Sequence, residues 1–332
     1  MNDTRIKVIG IGGAGCNAVA NLSSSEHFKK HISKHRTSLP TRQPVQLYAA
    51  NSDWQALEQC PVENKITLGA EGRGAGGNPA AGEECAMTSI KKVNVCVSNC
   101  DFVFLTVGLG GGTGTGAAPV FARAAKEKGA FVVAVVTMPF AFEGDKRNKN
   151  AEVGLENLKK YADTVISVSN DKITERLGRI PLRKSFEEAD STLADGVFSI
   201  INIIESNGLI DVDTADIQTV LRLSQEAYIG LGTASGDNAA EDAAAIALES
   251  PLIEKNIRGA KGAIINITGG GNMTIADAER AVEVIKNYTG HRTDIIFGAV
   301  IDPSLKDTVM VNVIIAGIEK SLFFRANQHK MS

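Results

Sequence analysis

Residues 108–116 read Gly-Leu-Gly-Gly-Gly-Thr-Gly-Thr-Gly, after the apolar run 102–107 and before a helix-like stretch. Such a run between a buried strand and a helix constrains the fold more than any other feature of the chain. Consecutive glycines let several backbone N–H groups turn toward one point, and the helix start adds its positive end. Thr113 and Thr115 add hydroxyl donors. The segment reads as a phosphate cradle, although no Lys-Ser or Lys-Thr closes it as in a Walker loop. A merely flexible loop is the competing reading. It is the poorer one, since ordering so many glycines costs conformational entropy that only a ligand would offset.

A second glycine loop, Gly10-Ile11-Gly12-Gly13-Ala14-Gly15, also follows a strand and opens a helix. Its GxGxxG spacing fits a dinucleotide fingerprint, which by itself is weak. That fingerprint also calls for an acidic residue about 20 positions on. Here the next strand ends at Asn51-Ser52-Asp53, well beyond that spacing. A nicotinamide-dependent oxidoreductase is therefore a rival that the 108–116 loop disfavours.

Composition narrows the class. With 43% hydrophobic and 22% charged residues the chain reads as a globular protein. A net charge of -3 and 5% aromatic residues give no footprint for nucleic acid, and none for an anionic membrane. The five cysteines, Cys16, Cys60, Cys85, Cys96 and Cys100, match no zinc spacing, and their odd number argues against a disulfide framework. No signal-like stretch precedes the first strand, and no apolar run approaches the ~20 residues of a membrane span. A soluble cytoplasmic protein without direct membrane insertion is expected.

Strand-like runs at 7–10, 47–50, 102–107, 131–137 and 164–168 alternate with helical patterns at 17–22, 116–128 and 148–161. That alternation predicts a parallel sheet covered on both faces. From Phe186 the positions Ala189, Leu193, Val197, Ile200, Ile201 and Ile204 recur at helical steps, ending near Ser206-Asn207-Gly208. Beyond it, helices at 239–248 and 275–288 and strands at 262–268, 293–300 and 308–315 make a further unit. The expected class is α/β: a parallel-sheet nucleotide-binding domain (1–185), a long central helix (186–208), a smaller α+β domain (209–318) and a short tail (319–332).

The glycine-rich 108–116 run is also the signature of the tubulin/FtsZ superfamily. The sequence resembles the FtsZ family over about residues 5–318. Stretches that match are Gly12-Gly13-Ala14-Gly15-Cys16-Asn17, Asn51-Ser52-Asp53, Gly74-Ala75-Gly76-Gly77-Asn78-Pro79 and the 108–116 loop with Ala117-Ala118-Pro119. Others are Pro139-Phe140-Ala141-Phe142-Glu143-Gly144, Arg147, Asn266-Ile267-Thr268-Gly269-Gly270 and Phe297-Gly298-Ala299-Val300-Ile301-Asp302.

The resemblance implies a GTPase that binds GTP and GDP with Mg²⁺ and assembles head to tail with itself, with other division proteins as further partners. It implies that Gly13, Ala14, Gly15 and Asn17, with Gly110, Gly111, Gly112, Thr113 and Gly114, hold the phosphates, and that Gly12, Cys16 and Thr115 belong to the nucleotide-binding set. Asn51, Asp53 and Pro139 belong to the same nucleotide set, and the loop from Gly72 through Gly74, Ala75, Gly76, Gly77, Asn78 and Pro79 senses the terminal phosphate. Glu143 would accept from the ribose and Arg147 would neutralise phosphate charge. Without the resemblance this pair reads as a surface i,i+4 ion pair. Asp190 would accept from the guanine N1–H and N2–H donors, with Phe186 stacking one helical turn earlier. Otherwise the two read as a solvated first-turn acid and a core aromatic.

Neither glycine loop contains a group to position an attacking water. The resemblance places that role on Asp213 and Asp216, which enter the site of the next subunit. By pattern alone they are a helix N-cap and a first-turn acid. Asp211 is a departure, because the family ordinarily has Asn there. A third carboxylate near the terminal phosphate adds repulsion and puts the hydrolysis rate in question, so a filament protein with weak hydrolysis is a second rival.

Two further departures stand out. The stretch 23–46 is long for the family and basic, with His27, His31 and His35 at i, i+4, i+8; a solvated basic surface is the preferred reading over a metal site. After Ile318 the chain offers 14 residues, too few for a linker plus a docking peptide. Leu322-Phe323-Phe324 among them could pack on the globular body.

Overall fold

The computed structural model describes residues 4–34, 45–178, 180–205, 208–250, 253 and 257–318. His35, the side chains of His27 and His31, the end of the long helix at Ser206-Asn207 and the tail 319–332 lie outside the described residues. The chain divides into two units, Met1–Asn207 and Gly208–Ser332.

The first unit alternates strands and helices. It begins β1 (Ile6–Ile11), α1 (Gly12–Ser24), α2 (Glu26–Lys34), β2 (Val45–Asn51), α3 (Trp54–Gln59) and β3 (Asn64–Thr67). α4 (Pro79–Thr88), α5 (Ile90–Cys96), β4 (Phe102–Gly108), α6 (Thr113–Glu127) and β5 (Phe131–Met138) follow. It closes with α7 (Asp145–Lys159), β6 (Thr164–Ser169), α8 (Asn170–Leu177) and α9 (Leu182–Glu205). The six strands form one sheet in the order β3-β2-β1-β4-β5-β6, with every neighbouring pair parallel.

Both faces are covered, which is why β1, β4 and β5 are almost wholly buried apolar runs. Ile9, Val103, Leu105 and Val107 join one core with Ala117 and Phe121 of α6. The alternate residues Phe102 and Phe104 stack at 6.2 Å on the other face. There α9 packs against α1, β4 and β5, and Phe198 of α9 meets Phe28 of α2 edge-on at 6.2 Å.

α9 starts at Leu182, one turn before Phe186. Leu182, Arg183 and Lys184 are exposed, Arg183 pairs with Glu187 at 2.8 Å, and the buried Ser185 is polar, so this turn shows no apolar period. The strands β3 and β7 and the short helices α2–α5 and α8 also go beyond the elements read from periodicity; β3 and α5 cover barely two periods each.

The second unit contains α10 (Thr214–Leu221), β7 (Ala227–Ser235), α11 (Ala239–Leu248), β8 (Gly262–Gly269), α12 (Ile275–Thr289), β9 (Asp294–Ile301) and β10 (Thr308–Ala316). Its sheet order is β7-β10-β8-β9. β10 runs antiparallel to β7 and β8, while β8 and β9 are parallel. The alanine face of α11 lies unusually close to β7. A Cβ at Gly232 would come within 1.9 Å of the Ala243 carbonyl oxygen, so only glycine fits beneath the helix.

Candidate functional site

In a parallel sheet, ligands bind beyond the carboxyl ends of the strands where the strand order reverses. That point lies between β1 and β4, whose following loops run to opposite sides of the sheet. Both loops are the glycine-rich ones, and both lead straight into helices, α1 at Gly12 and α6 at Thr113. Neither helix has a side-chain N-cap bond. The first-turn N–H groups are thus left for a ligand.

A cavity of about 220 Å³ opens there. Grooves of about 590 and 510 Å³ are also present; this one gathers the starts of α1 and α6 with both glycine loops. Of the residues expected from sequence, Gly13, Ala14, Gly111, Gly112, Thr113, Gly114, Pro139, Glu143, Arg147, Phe186 and Asp190 line it. An added Cβ at Gly13 or Gly111 would meet nothing within 4 Å, so each presents bare backbone to open space.

Other expected residues form the support. Gly12, at φ +74°, lets the two loops close on each other: a Cβ there would lie 2.9 Å from the Gly114 nitrogen. Gly15 fits under Thr106, whose hydroxyl donates to its carbonyl oxygen at 3.1 Å. The Gly110 N–H donates to Thr115 Oγ1 at 2.8 Å, holding the 108–116 loop in its turn. Asn17 Nδ2 donates to Asp190 Oδ2 at 2.9 Å.

Cys16 does not line the cavity. Its thiol is buried and aimed at the carbonyl oxygens of Gly10 and Ala50; burial, with Cys60 nearby, pushes its pKa up to about 12. Asn51 Oδ1 accepts from the Asp53 N–H, and Asp53 caps α3 by accepting from the Ala56 N–H. These side chains shape the end of β2.

The 74–79 loop packs behind the 108–116 glycine loop. A Cβ at Gly112 would come within 2.8 Å of Ala75 and 2.9 Å of the Asn78 nitrogen. Gly74, Gly76 and Gly77 all have positive φ, and Asn78 caps α4 with Pro79 in its first turn. Ser52 supplies a link that the sequence reading missed: its hydroxyl lies 2.6 Å from Thr113 Oγ1, and its carbonyl accepts from the Gly74 N–H.

At the far end of the cavity, Glu143 accepts from the Phe140 N–H at 2.8 Å and from Arg147 Nε at 2.9 Å. The i,i+4 pair therefore forms, and it forms inside the cavity wall. Phe186 stays 39% exposed, held edge-on to Phe140 with centroids 5.1 Å apart. Burial raises the Asp190 pKa to about 6, against the lowering effect of the Asn17 hydrogen bond. Asn170 and Thr137, buried at the ends of β6 and β5, were missed. Asn170 Oδ1 has no partner although it is buried. Their position at the carboxyl ends of parallel strands was the signal available.

Asp211, Asp213 and Asp216 lie in the second unit around the start of α10. Asp211 Oδ1 accepts from the Gly208 N–H. Asp213 caps the helix through Oδ1, which accepts from the Ala215 N–H at 3.1 Å, and Asp216 sits in the first turn. The described residues contain no group of three His, Cys, Asp or Glu side chains that could hold a metal ion. No described helix is long and apolar enough to cross a membrane.

Comparison with known proteins agrees with this geometry. Residues 5–178 match the Tubulin/FtsZ family GTPase domain, and residues 225–319 match the FtsZ family C-terminal domain. The chain is 42% identical to the "Cell division protein FtsZ" of Mycoplasmopsis pulmonis (strain UAB CTIP) over 325 residues, 97% of this chain and 80% of that protein. It is 42% identical to "Cell division protein FtsZ 1" of Archaeoglobus fulgidus over 95% of this chain and 83% of the relative. Among solved structures, the empty FtsZ dimer of M. jannaschii superposes with a TM-score of 0.83 at 38% identity, covering 95% of this chain and 89% of that one. CetZ2 from Haloferax volcanii, at 22% identity and a TM-score of 0.79, shares the fold. With both domain models matched in order along the chain, this protein belongs to the Tubulin/FtsZ family and contains its GTPase domain.

Proposed function

We propose that the chain is a filament-forming GTPase of cell division, in which each GTP is hydrolysed where one subunit meets the next. The observation that supports this best is the division of the cavity into two chemistries. One end offers bare backbone at Gly13 and Gly111 and uncapped helix starts, suited to phosphates. The other offers Asp190, the unpartnered Asn170 Oδ1 and an open Phe186 ring, suited to a flat base with hydrogen-bond donors. Guanine has adjacent N1–H and N2–H donors, whereas adenine has an acceptor at N1 and would leave Asp190 unpaired.

In the proposed reaction the glycine N–H groups neutralise charge on the phosphate oxygens. A water attacks the terminal phosphorus, and the bond to the bridging oxygen of GDP breaks. No group in the described cavity is placed to hold that water on the phosphate side. We assign it to Asp213 and Asp216 of the following subunit. Asp213 uses Oδ1 as a cap and keeps Oδ2 for the water. Assembly then completes the active site.

Mg²⁺ is proposed to accompany the nucleotide on its phosphate oxygens. The phosphate end of the cavity is lined by Gly, Ala and Thr, so this chain supplies no carboxylate cage of its own there. A filament with slow hydrolysis is the second reading, supported by Asp211 as a third carboxylate at the start of α10. GTP turnover measured against protein concentration, with sedimentation alongside, separates the two. Turnover that rises steeply with polymer supports hydrolysis at the joint; abundant polymer with little phosphate release supports the second reading. Turnover by monomers, independent of concentration, overturns the assignment of Asp213 and Asp216.

A further inference from the structure

A further cavity, in the second unit, lies away from the glycine loops. It is a groove of about 590 Å³ between α12 and β9, floored by Ala278, Val282, Ile295 and Phe297 and flanked by Glu279 and Glu283. All four floor side chains are only half-buried, although they belong to the apolar core of this unit. The groove is long enough for several side chains, within the range of ~300–1,000 Å³ usual for binding pockets.

The end of the described chain leads to it. Ile315 of β10 stands opposite Ala263 of β8, and Ala263 stands opposite Ile295 of β9. These three side chains share one face, the groove's own, and Ile318 packs against the same core. The chain therefore leaves the sheet on the groove face, at the end marked by His291 and Ile295. From β10 to β9 is two strand spacings, about 10 Å. From Ile318 to Leu322 is four residues, a reach of up to about 13 Å. Leu322-Phe323-Phe324 is thus within reach of the groove. Arg325 follows in the sequence, and Glu283 and Glu279 lie on the groove's flank.

We propose that the groove between α12 and β9 is the docking site for the chain's own C-terminal segment, with Leu322, Phe323 and Phe324 covering Val282, Ile295 and Phe297 and Arg325 facing Glu279 and Glu283. Tethering by so short a connection gives a high effective concentration, so modest apolar contact suffices to hold the segment. Docking removes the unit's half-buried apolar floor from solvent and makes the groove unavailable to other chains until the segment is displaced.

The test uses the full chain without nucleotide, in a Cys85→Ser background, since Cys85 is the free thiol that is not buried. Val282→Cys/Phe324→Cys is oxidised and compared with Asn287→Cys/Phe324→Cys, whose helix position does not line the groove. The expected result is a crosslink within one chain, forming at least ~10-fold faster in the first pair, because a disulfide tolerates only a short Cβ–Cβ separation. Equal rates overturn the proposal. Crosslinks between chains that increase with protein concentration overturn it too, and give the groove to a second copy. Amide exchange on Leu322→Ser/Phe323→Ser/Phe324→Ser needs no engineered thiol. Exchange at 278–286 and 294–297 should quicken by at least ~5-fold while β4 is unchanged. No change at those positions overturns the proposal.

Discussion

Asn17 on the first helix donates a hydrogen bond to Asp190 on the long helix at 2.9 Å, joining residues 173 positions apart at the base end of the cavity. The bond holds one carboxylate oxygen and leaves the other facing the cavity. Asp190→Ala should weaken GTP binding by about 2–3 kcal/mol, roughly a hundredfold, as expected for hydrogen bonds to a charged group. Selectivity over ATP should fall with it. Titration of both nucleotides checks this, and equal affinities in the unaltered protein would falsify the base-reading role.

The same residue sets a pH dependence. Its pKa is raised by burial to about 6, so below that pH the nucleotide-free protein protonates it and loses an acceptor. GTP affinity should decline as pH falls through 6. Stability has the opposite sign. An acid whose folded pKa lies above its unfolded value of ~3.9 binds more protons folded than unfolded, so stability is lost as pH rises from about 4 to 6. Asp190→Asn removes that loss and should melt higher than the parent at pH 7 without nucleotide.

Glycines of the two loops should fall into two classes. Gly13→Ala and Gly111→Ala meet no neighbour within 4 Å, so both should fold with near-parental melting yet bind GTP poorly. A Cβ at Gly116 would lie 1.9 Å from the Pro79 carbonyl oxygen. Gly116→Ala should cost about 3 kcal/mol of stability through backbone displacement. Thermal melting beside nucleotide titration distinguishes the classes; a Gly13→Ala protein that binds GTP normally removes Gly13 from the phosphate end.

Glu143 and Arg147 should behave as a unit. Arg147→Ala strips the partner from a carboxylate whose side chain is 9% exposed, leaving negative charge beside the nucleotide. GTP affinity should drop about tenfold or more, and Glu143→Gln in the same chain should restore part of it, a coupling of about 1 kcal/mol. Strict additivity in that cycle shows that the pair does not act together on the ligand.

Asp213→Ala loses a helix cap, worth about 1 kcal/mol, and should bind GTP normally but release little phosphate. Asp211→Asn keeps an acceptor for the Gly208 N–H while removing a charge, so the fold should be unaffected. Turnover should rise, or the Mg²⁺ requirement fall. Slower turnover at saturating Mg²⁺ means that the third acid assists the reaction.

Local sequence by itself determined much of this protein. The glycine runs at 10–15 and 108–116 and the apolar strands before them specify parallel β–loop–α units and a phosphate-binding crevice, because both signals depend on neighbours a few residues apart. Helical periodicity located α11 at Ala239–Leu248 for the same reason. Tertiary structure decided the rest. Asn170 and Thr137 carry no motif of their own, and the order of strands brings their ends to one crevice. Ser52 lies in a family motif, but its bond to Thr113 is a tertiary contact. Cys16 and Asp53 stand inside family motifs, yet packing turns one thiol under the loop and commits one carboxylate to a helix cap. The i,i+4 spacing of Glu143 and Arg147 is legible locally, and only their place in the cavity wall is tertiary. The bond between Asn17 and Asp190 joins segments 173 positions apart, which no short sequence window contains.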